Sequence, residues 1–155
     1  MIVWRITERQ YAATPLDGEG SRRFGTRWNH PGRKIVSTSE TLSLAGLERL
    51  VHFAPALSPS NLASIKILIP DESNVQTVNP LELPSDWRTY PAPESLARIG
   101  DAWYDVRKTL LLKVPSAVIP QEYNVLINAE HPAIASVRVM DVAPFTFDCR
   151  LYKPR

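Results

Sequence analysis

Fourteen prolines are spread over the 155 residues of this chain, and they limit what it can build. A proline lacks a backbone donor and clashes inside a helix, so the chain is cut into short elements. A bundle of long helices is disfavoured, and a domain of short strands with a few helices, α/β or α+β, is expected. The length suits one domain with a real core. A hydrophobic share of 44% is ordinary for a globular protein.

Hydropathy periodicity places the elements. Residues 2–6 read as an opening strand, with Arg5 on the face opposite Trp4 and Ile6. Residues 34–38 read as a short strand. From about 41 to 53 the pattern is helical, with Leu44, Leu47, Leu50, Val51 and Ala54 on one stripe, Thr38 or Ser39 as N-cap and Pro55 as the stop. A second helix is expected over 93–107, where Leu96, Ile99, Trp103 and Val106 recur at helical spacing and Pro93 suits the first turn. Residues 64–69 alternate cleanly, placing Ile65, Ile67 and Ile69 on one face. Further strands are expected at 110–114, 123–127 and 137–142, and the C-terminal FTFDCRLY alternates again. Residues 71–93 carry four prolines and little periodicity, so they read as an irregular connection. The expectation is one α+β domain over residues 1–155, with a β-sheet core and two main helices.

Lys and Arg exceed Asp and Glu by 18 to 16, so nothing in the overall charge demands nucleic acid. No apolar run reaches membrane-spanning length and no signal peptide is evident. The single cysteine, Cys149, excludes an intramolecular disulfide and fits a reducing compartment. The expected location is therefore the cytoplasm.

The basic character is local. The segment GEGSRRFGTRWNHPG, residues 18–32, holds four of the six glycines together with Arg22, Arg23 and Arg27, and Arg33 and Lys34 follow at once. Glycines weaken helix and strand alike, and the segment lacks an apolar period. It reads as a loop that brings backbone N–H groups and guanidinium forks to a phosphate-bearing ligand. Arg27, between Gly25 and Trp28, is open to a binding role or a structural salt bridge. Glu48 lies at the border of the first helix's apolar stripe, where a carboxylate can be held partly desolvated. By position alone it reads as an ordinary boundary glutamate with His52 one turn on. Ser116, in VPSAVIP, has no Gly-x-Ser-x-Gly frame, and by itself reads as a strand-end hydroxyl bonding to backbone. No His or Cys pair stands at metal-ligand spacing, so no metal is expected. Neither a dinucleotide-binding glycine fingerprint nor a Walker A pattern is present.

Three separated motifs, GEGSRRFGTRWNHPGRKIVSTSE, LAGLERLVHF and LLLKVPSAVIPQEYNVLINAEHP, resemble in this order the RES domain family. That family forms the toxin half of bacterial RES–Xre toxin–antitoxin modules. The resemblance implies a fold similar to ADP-ribosyltransferase toxins and an enzyme that breaks the nicotinamide–ribose bond of NAD⁺. NAD⁺ would be a substrate, with no further cofactor. Carried onto this chain, it implies Arg27, Glu48 and Ser116 as catalytic residues, with Arg27, Trp28, Asn29, Ser37 and Asn124 binding substrate. Ser37 stands where the family usually has a tyrosine that could stack on nicotinamide, so Trp28, Phe24 or Tyr123 would have to compensate. The implied partner is a helix-turn-helix antitoxin of Xre type, with no direct contact to nucleic acid and no membrane. A homodimer through the C-terminal strand stands beside a core role for that strand. The resemblance leaves a protein-modifying ADP-ribosyltransferase and a catalytically weakened antitoxin-binding module as alternatives.

Overall fold

Among the described residues seven strands form one mixed sheet, and the two longer helices lie on the same face of it. The computed structural model describes residues 1–53, 60–70 and 75–151. In chain order the elements are β1 (Ile2–Glu8), α1 (Glu19–Phe24), β2 (Ile35–Ser39), α2 (Leu42–Leu50), β3 (Leu62–Leu68), β4 (Val75–Thr77), α3 (Glu94–Val106), β5 (Leu111–Pro115), β6 (Tyr123–Asn128) and β7 (Arg138–Phe145). The strand order is β4-β5-β6-β2-β1-β3-β7, and every neighbouring pair is antiparallel except β4 and β5.

The expected strands all form, and the pattern that announced them explains which face each side chain takes. Ile65, Ile67 and Ile69 are fully buried on one face of the sheet, packed with Val3, Val36, Leu111, Val125 and Ile127. Each such burial contributes about 1.5–3 kcal/mol against leaving the side chain in water. The other face carries two separate apolar clusters. One lies under α3 and joins Ile35, Leu112, Val114 and Leu126 to Leu96, Trp103 and Trp28. The other lies under α2 and joins Ile6 and Leu62 to Ala45, with Phe145 and Phe147 packed against them. Between the clusters the same face carries polar residues, because Ser37 and Ser39 follow Ile35 at period two and Asn124 precedes Leu126.

Several local expectations are corrected. The first helix begins at Leu42 with Thr41 as its cap, whose side chain accepts from the Leu44 N–H at 3.1 Å, so neither Thr38 nor Ser39 caps it. Both of those belong to β2. The stripe is also rotated: Leu44, Ala45 and Gly46 are buried, while Val51 is exposed. The expected stop at Pro55, and Ala54, lie outside the described residues. Pro93 is the N-cap of α3 and precedes its first turn. The connection over 71–93 contains strand β4 and a short 3-10 turn at Pro80–Glu82. The alternation in FTFDCRLY carries the chain only to the end of β7; the last described turn is 3-10. Phe145 and Phe147 then meet edge-to-face, 5.0 Å between centroids.

The glycine- and arginine-rich segment is not wholly a loop. Glu19–Phe24 form a six-residue helix, α1, with Gly18 and Gly25 flanking it in the left-handed region at φ 66° and 68°. Glu19 binds Arg22 at 2.8 Å along the helix, and the Ser21 hydroxyl donates to the Arg33 carbonyl. These tertiary and local contacts override the weak helix propensity of its glycine.

Candidate active site

The segment after α1 makes a tight reversal. Thr26 N–H donates to the Asn29 carbonyl at 2.9 Å, the Thr26 hydroxyl donates to Asn29 Oδ1 at 2.6 Å, and Arg27 and Trp28 sit at the tip. Gly25 is required at its base: a Cβ there would lie 2.7 Å from the Asn29 carbonyl oxygen. A second close approach seats the turn on α3, where a Cβ on Gly100 would fall 1.7 Å from the Trp28 carbonyl oxygen. The turn is also clamped electrostatically. His30 Nδ1 lies 2.6 Å from Asp101 Oδ2, and Arg33 reaches both Asp101 and Asp105 of α3.

This frame assigns the turn's residues different places. Asn29 is 1% exposed, and its amide donates to the carbonyls of His30 and Ser21. Trp28 is 5% exposed in the core under α3. Arg27 is half-buried, and its Nη1 donates to the carbonyls of Trp87 at 2.7 Å and Thr89 at 3.1 Å. Burial pulls its pKa below the ordinary arginine value, and the Glu48 carboxylate opposes that shift. A guanidinium keeps its proton through such a change. The Glu48 and Arg27 charges are therefore close enough to interact electrostatically.

Glu48 is the hub of the polar gap between the two apolar clusters. The Ser116 hydroxyl donates to its Oε1 at 2.7 Å, and Asn124 Nδ2 donates to the same oxygen at 2.6 Å. Ser116 is fully buried, and its oxygen accepts from the N–H groups of Val118 and Ile119 at 3.1 and 3.0 Å. Its proton and lone pairs are thus committed, and its action is to hold the carboxylate. Asn124 Oδ1 accepts from the Ser39 hydroxyl at 2.6 Å, which fixes the amide's orientation. No described residue bonds Oε2 of Glu48. The result is a carboxylate oriented by a chain of neutral donors, with one oxygen left to face a ligand.

Ser37 is exposed on the floor of this gap, one strand-step from Ser39 on the same face. Two arginines that sequence reasoning passed over lie near this strand, Arg5 on the face of the sheet opposite the Ser37 side chain. Arg5 Nη1 donates to the Ser37 carbonyl at 3.3 Å, where the β1–β2 ladder is reduced to the pair Trp4–Ser39. Arg49 follows Glu48 on α2 and binds Glu8 at 3.2 Å. The Nε atoms of both are buried with no hydrogen-bond partner among the described residues. Burial lowers the Arg5 pKa, Asp17 raises it, and the like charge of Arg49 lowers it further. A buried N–H without a partner is costly. The sequence signal was an arginine inside an otherwise apolar strand.

Among the described residues no group of acidic, histidine or cysteine side chains is arranged to hold a metal ion, and no helix is long and apolar enough to cross a membrane. An open cleft of about 340 Å³ lined by Arg9, Ala12, Ala63, Val142, Ala143 and Pro144 includes none of the site residues.

A model of the RES domain matches residues 2–148 of the chain. The chain is 37% identical over 153 residues to the protein named Toxin Res of Yersinia enterocolitica serotype O:8 / biotype 1B, spanning 97% of this chain and 99% of that protein. It is 34% identical over 154 residues to the Prs ADP-ribosylating toxin of Sphingobium sp. (strain YBL2), spanning 97% and 96%. Its fold is similar to that of a chain in the crystal structure of the M. tuberculosis MbcT–MbcA toxin–antitoxin complex. There the TM-score is 0.73 over 94% of this chain and 84% of that one, at 17% identity.

Proposed function

The chain belongs to the RES domain family, and from that premise we propose that it is the toxin of a toxin–antitoxin pair, an enzyme that cleaves the nicotinamide–ribose bond of NAD⁺ in the cytoplasm. The observation that carries this reading is the Glu48 carboxylate, held on one oxygen by Ser116 and Asn124 with its other oxygen open. As nicotinamide leaves, positive charge builds on the ribose, and a fixed carboxylate stabilises that charge or orients the attacking oxygen. Ser116, Asn124 and Ser39 keep Glu48 in place without touching the reacting atoms. Arg27 holds the diphosphate or the neighbouring ribose oxygens. Attack by water at the anomeric carbon yields ADP-ribose, nicotinamide and a proton. Attack by inorganic phosphate yields the 1″-phosphate of ADP-ribose and nicotinamide. A helix-turn-helix antitoxin of Xre type neutralises the enzyme by covering the site beside the Gly18–Gly32 segment.

A second reading, favoured by the name of the Sphingobium relative, keeps the same bond cleavage and gives the ADP-ribosyl group to a protein. One experiment separates them. Purified protein is incubated with NAD⁺ labelled in the adenine ring, with and without phosphate and cell extract, and the label is followed. Label in free ADP-ribose or its phosphate supports the first reading, and label on a macromolecule supports the second. Unconsumed NAD⁺ in every arm overturns both.

A further inference from the structure

A dinucleotide carries two flat heterocycles, and such rings bind well against an exposed aromatic face. Taking the NAD⁺ reading as its premise, the inference concerns which aromatic does this. The ring beside the polar floor of Ser37, Ser39 and Asn124 is Trp4, paired with Ser39 across β1 and β2. It is packed against the cluster under α2, with Lys66 5.6 Å from its centroid. Trp28 is 5% exposed and locked beneath α3. Tyr123 precedes Asn124 on β6 and so faces the opposite side of the sheet, where Lys113 lies 4.7 Å from its ring centroid. Trp87 packs against the core under α3.

The segment running over Trp87 to Pro91 is built into the site's rim by both halves of the machinery. Arg27 holds the carbonyls of Trp87 and Thr89. On the other side, Arg88 Nε donates to the carbonyl of Ala117, the residue after Ser116, at 3.1 Å. The Thr89 hydroxyl donates to the Pro91 carbonyl at 3.4 Å, bracketing the residue between them. That residue is Tyr90, 86% exposed. A tyrosine this exposed contributes little to the core, yet its backbone is fixed one residue from a carbonyl that the ligand-facing arginine holds.

We infer that Tyr90 is a binding residue of this site, its ring the stacking platform for one heterocycle of the dinucleotide. The rings of nicotinamide and adenine share the required flat π face, and the two products distinguish them. The test is steady-state NAD⁺ consumption by the full chain as wild type, Tyr90→Ala, Tyr90→Phe and Phe24→Ala, the last because Phe24 is the other strongly exposed ring near the turn. Inhibition by ADP-ribose and by nicotinamide is measured for each.

Tyr90→Ala is expected to raise KM about tenfold while kcat stays within about twofold, as the loss of one stacking contact predicts. Tyr90→Phe keeps the ring and restores KM. In Tyr90→Ala inhibition weakens for one product alone, ADP-ribose if adenine stacks and nicotinamide if the other ring does. An unchanged KM in Tyr90→Ala, a shift in Phe24→Ala in its place, or a raised KM with neither product weakened overturns the inference and leaves the NAD⁺ reading standing. Wild-type protein that neither consumes NAD⁺ nor binds either product overturns both.

Discussion

The Ser116 hydroxyl donates to Glu48 Oε1 across 2.7 Å, although the two residues stand 68 positions apart in the chain. The serine is fully buried and also accepts from two backbone N–H groups, so one atom ties the turn after β5 to α2.

Replacing Ser116 by alanine therefore has two effects. It frees Glu48 from one donor and strands two backbone N–H groups, a cost of about 1–3 kcal/mol for a buried unsatisfied group. Chemical denaturation is expected to show that loss, and NAD⁺ consumption is expected to show a lower kcat with KM little changed.

Glu48→Gln separates charge from position. The amide oxygen still accepts from Ser116 and Asn124, so the melting temperature is expected to stay near the wild-type value. Turnover is expected to fall by about 100- to 1,000-fold, the usual size of losing one electrostatic stabiliser of a transition state. Rapid-quench measurement of nicotinamide release checks it, and undiminished release removes Glu48 from the mechanism.

Gly100→Ala tests how the Arg27 turn is seated. A methyl group at 1.7 Å from the Trp28 carbonyl oxygen cannot be accommodated without moving the turn or the helix. The expected destabilisation is about 1–3 kcal/mol, as for other overpacked sites. KM for NAD⁺ is expected to rise with it, because Arg27 moves with the turn.

The acid limb of stability is expected to report the clamp on that same turn. Arg33 holds the Asp105 carboxyl below the ordinary carboxylate range, and Arg22 does the same for Glu19. A depressed folded-state pKa stabilises the protein above the unfolded value of about 4 and loses that contribution as pH falls through the folded value. Asp105→Asn is expected to flatten the decline below about pH 4, measured by urea denaturation across pH. The change is expected to be small and to shrink in high salt, because the pair is substantially exposed.

The strands were legible because their signal is local. Ile65, Ile67 and Ile69 alternate in the sequence and are all buried on one face. The helix α3 was legible for the same reason, with Leu96 and Trp103 on its buried side. The helix α1 was not, because its glycine-rich sequence becomes helical through contacts with Arg33 and Lys34 outside it. Strand β4 was missed because its three exposed residues carry no alternation, and its place comes from parallel pairing with β5.

The site divides along the same line. Local sequence left Arg27, Glu48 and Ser116 at ordinary readings, and only the family resemblance carried by the three motifs implied roles for them and for Asn124. What the sequence determined by itself was this set of polar groups and the alternation that puts each on a face. Only the tertiary structure decided which of them touch. Asn124 meets Glu48 because β6 lies beside β2 in the register that opposes it to Ser39. Asn29 and Trp28 turn inward because α3 closes over them. Strand order, register and helix seating are fixed by the burial of apolar surface over the whole domain, and no window of residues contains that information.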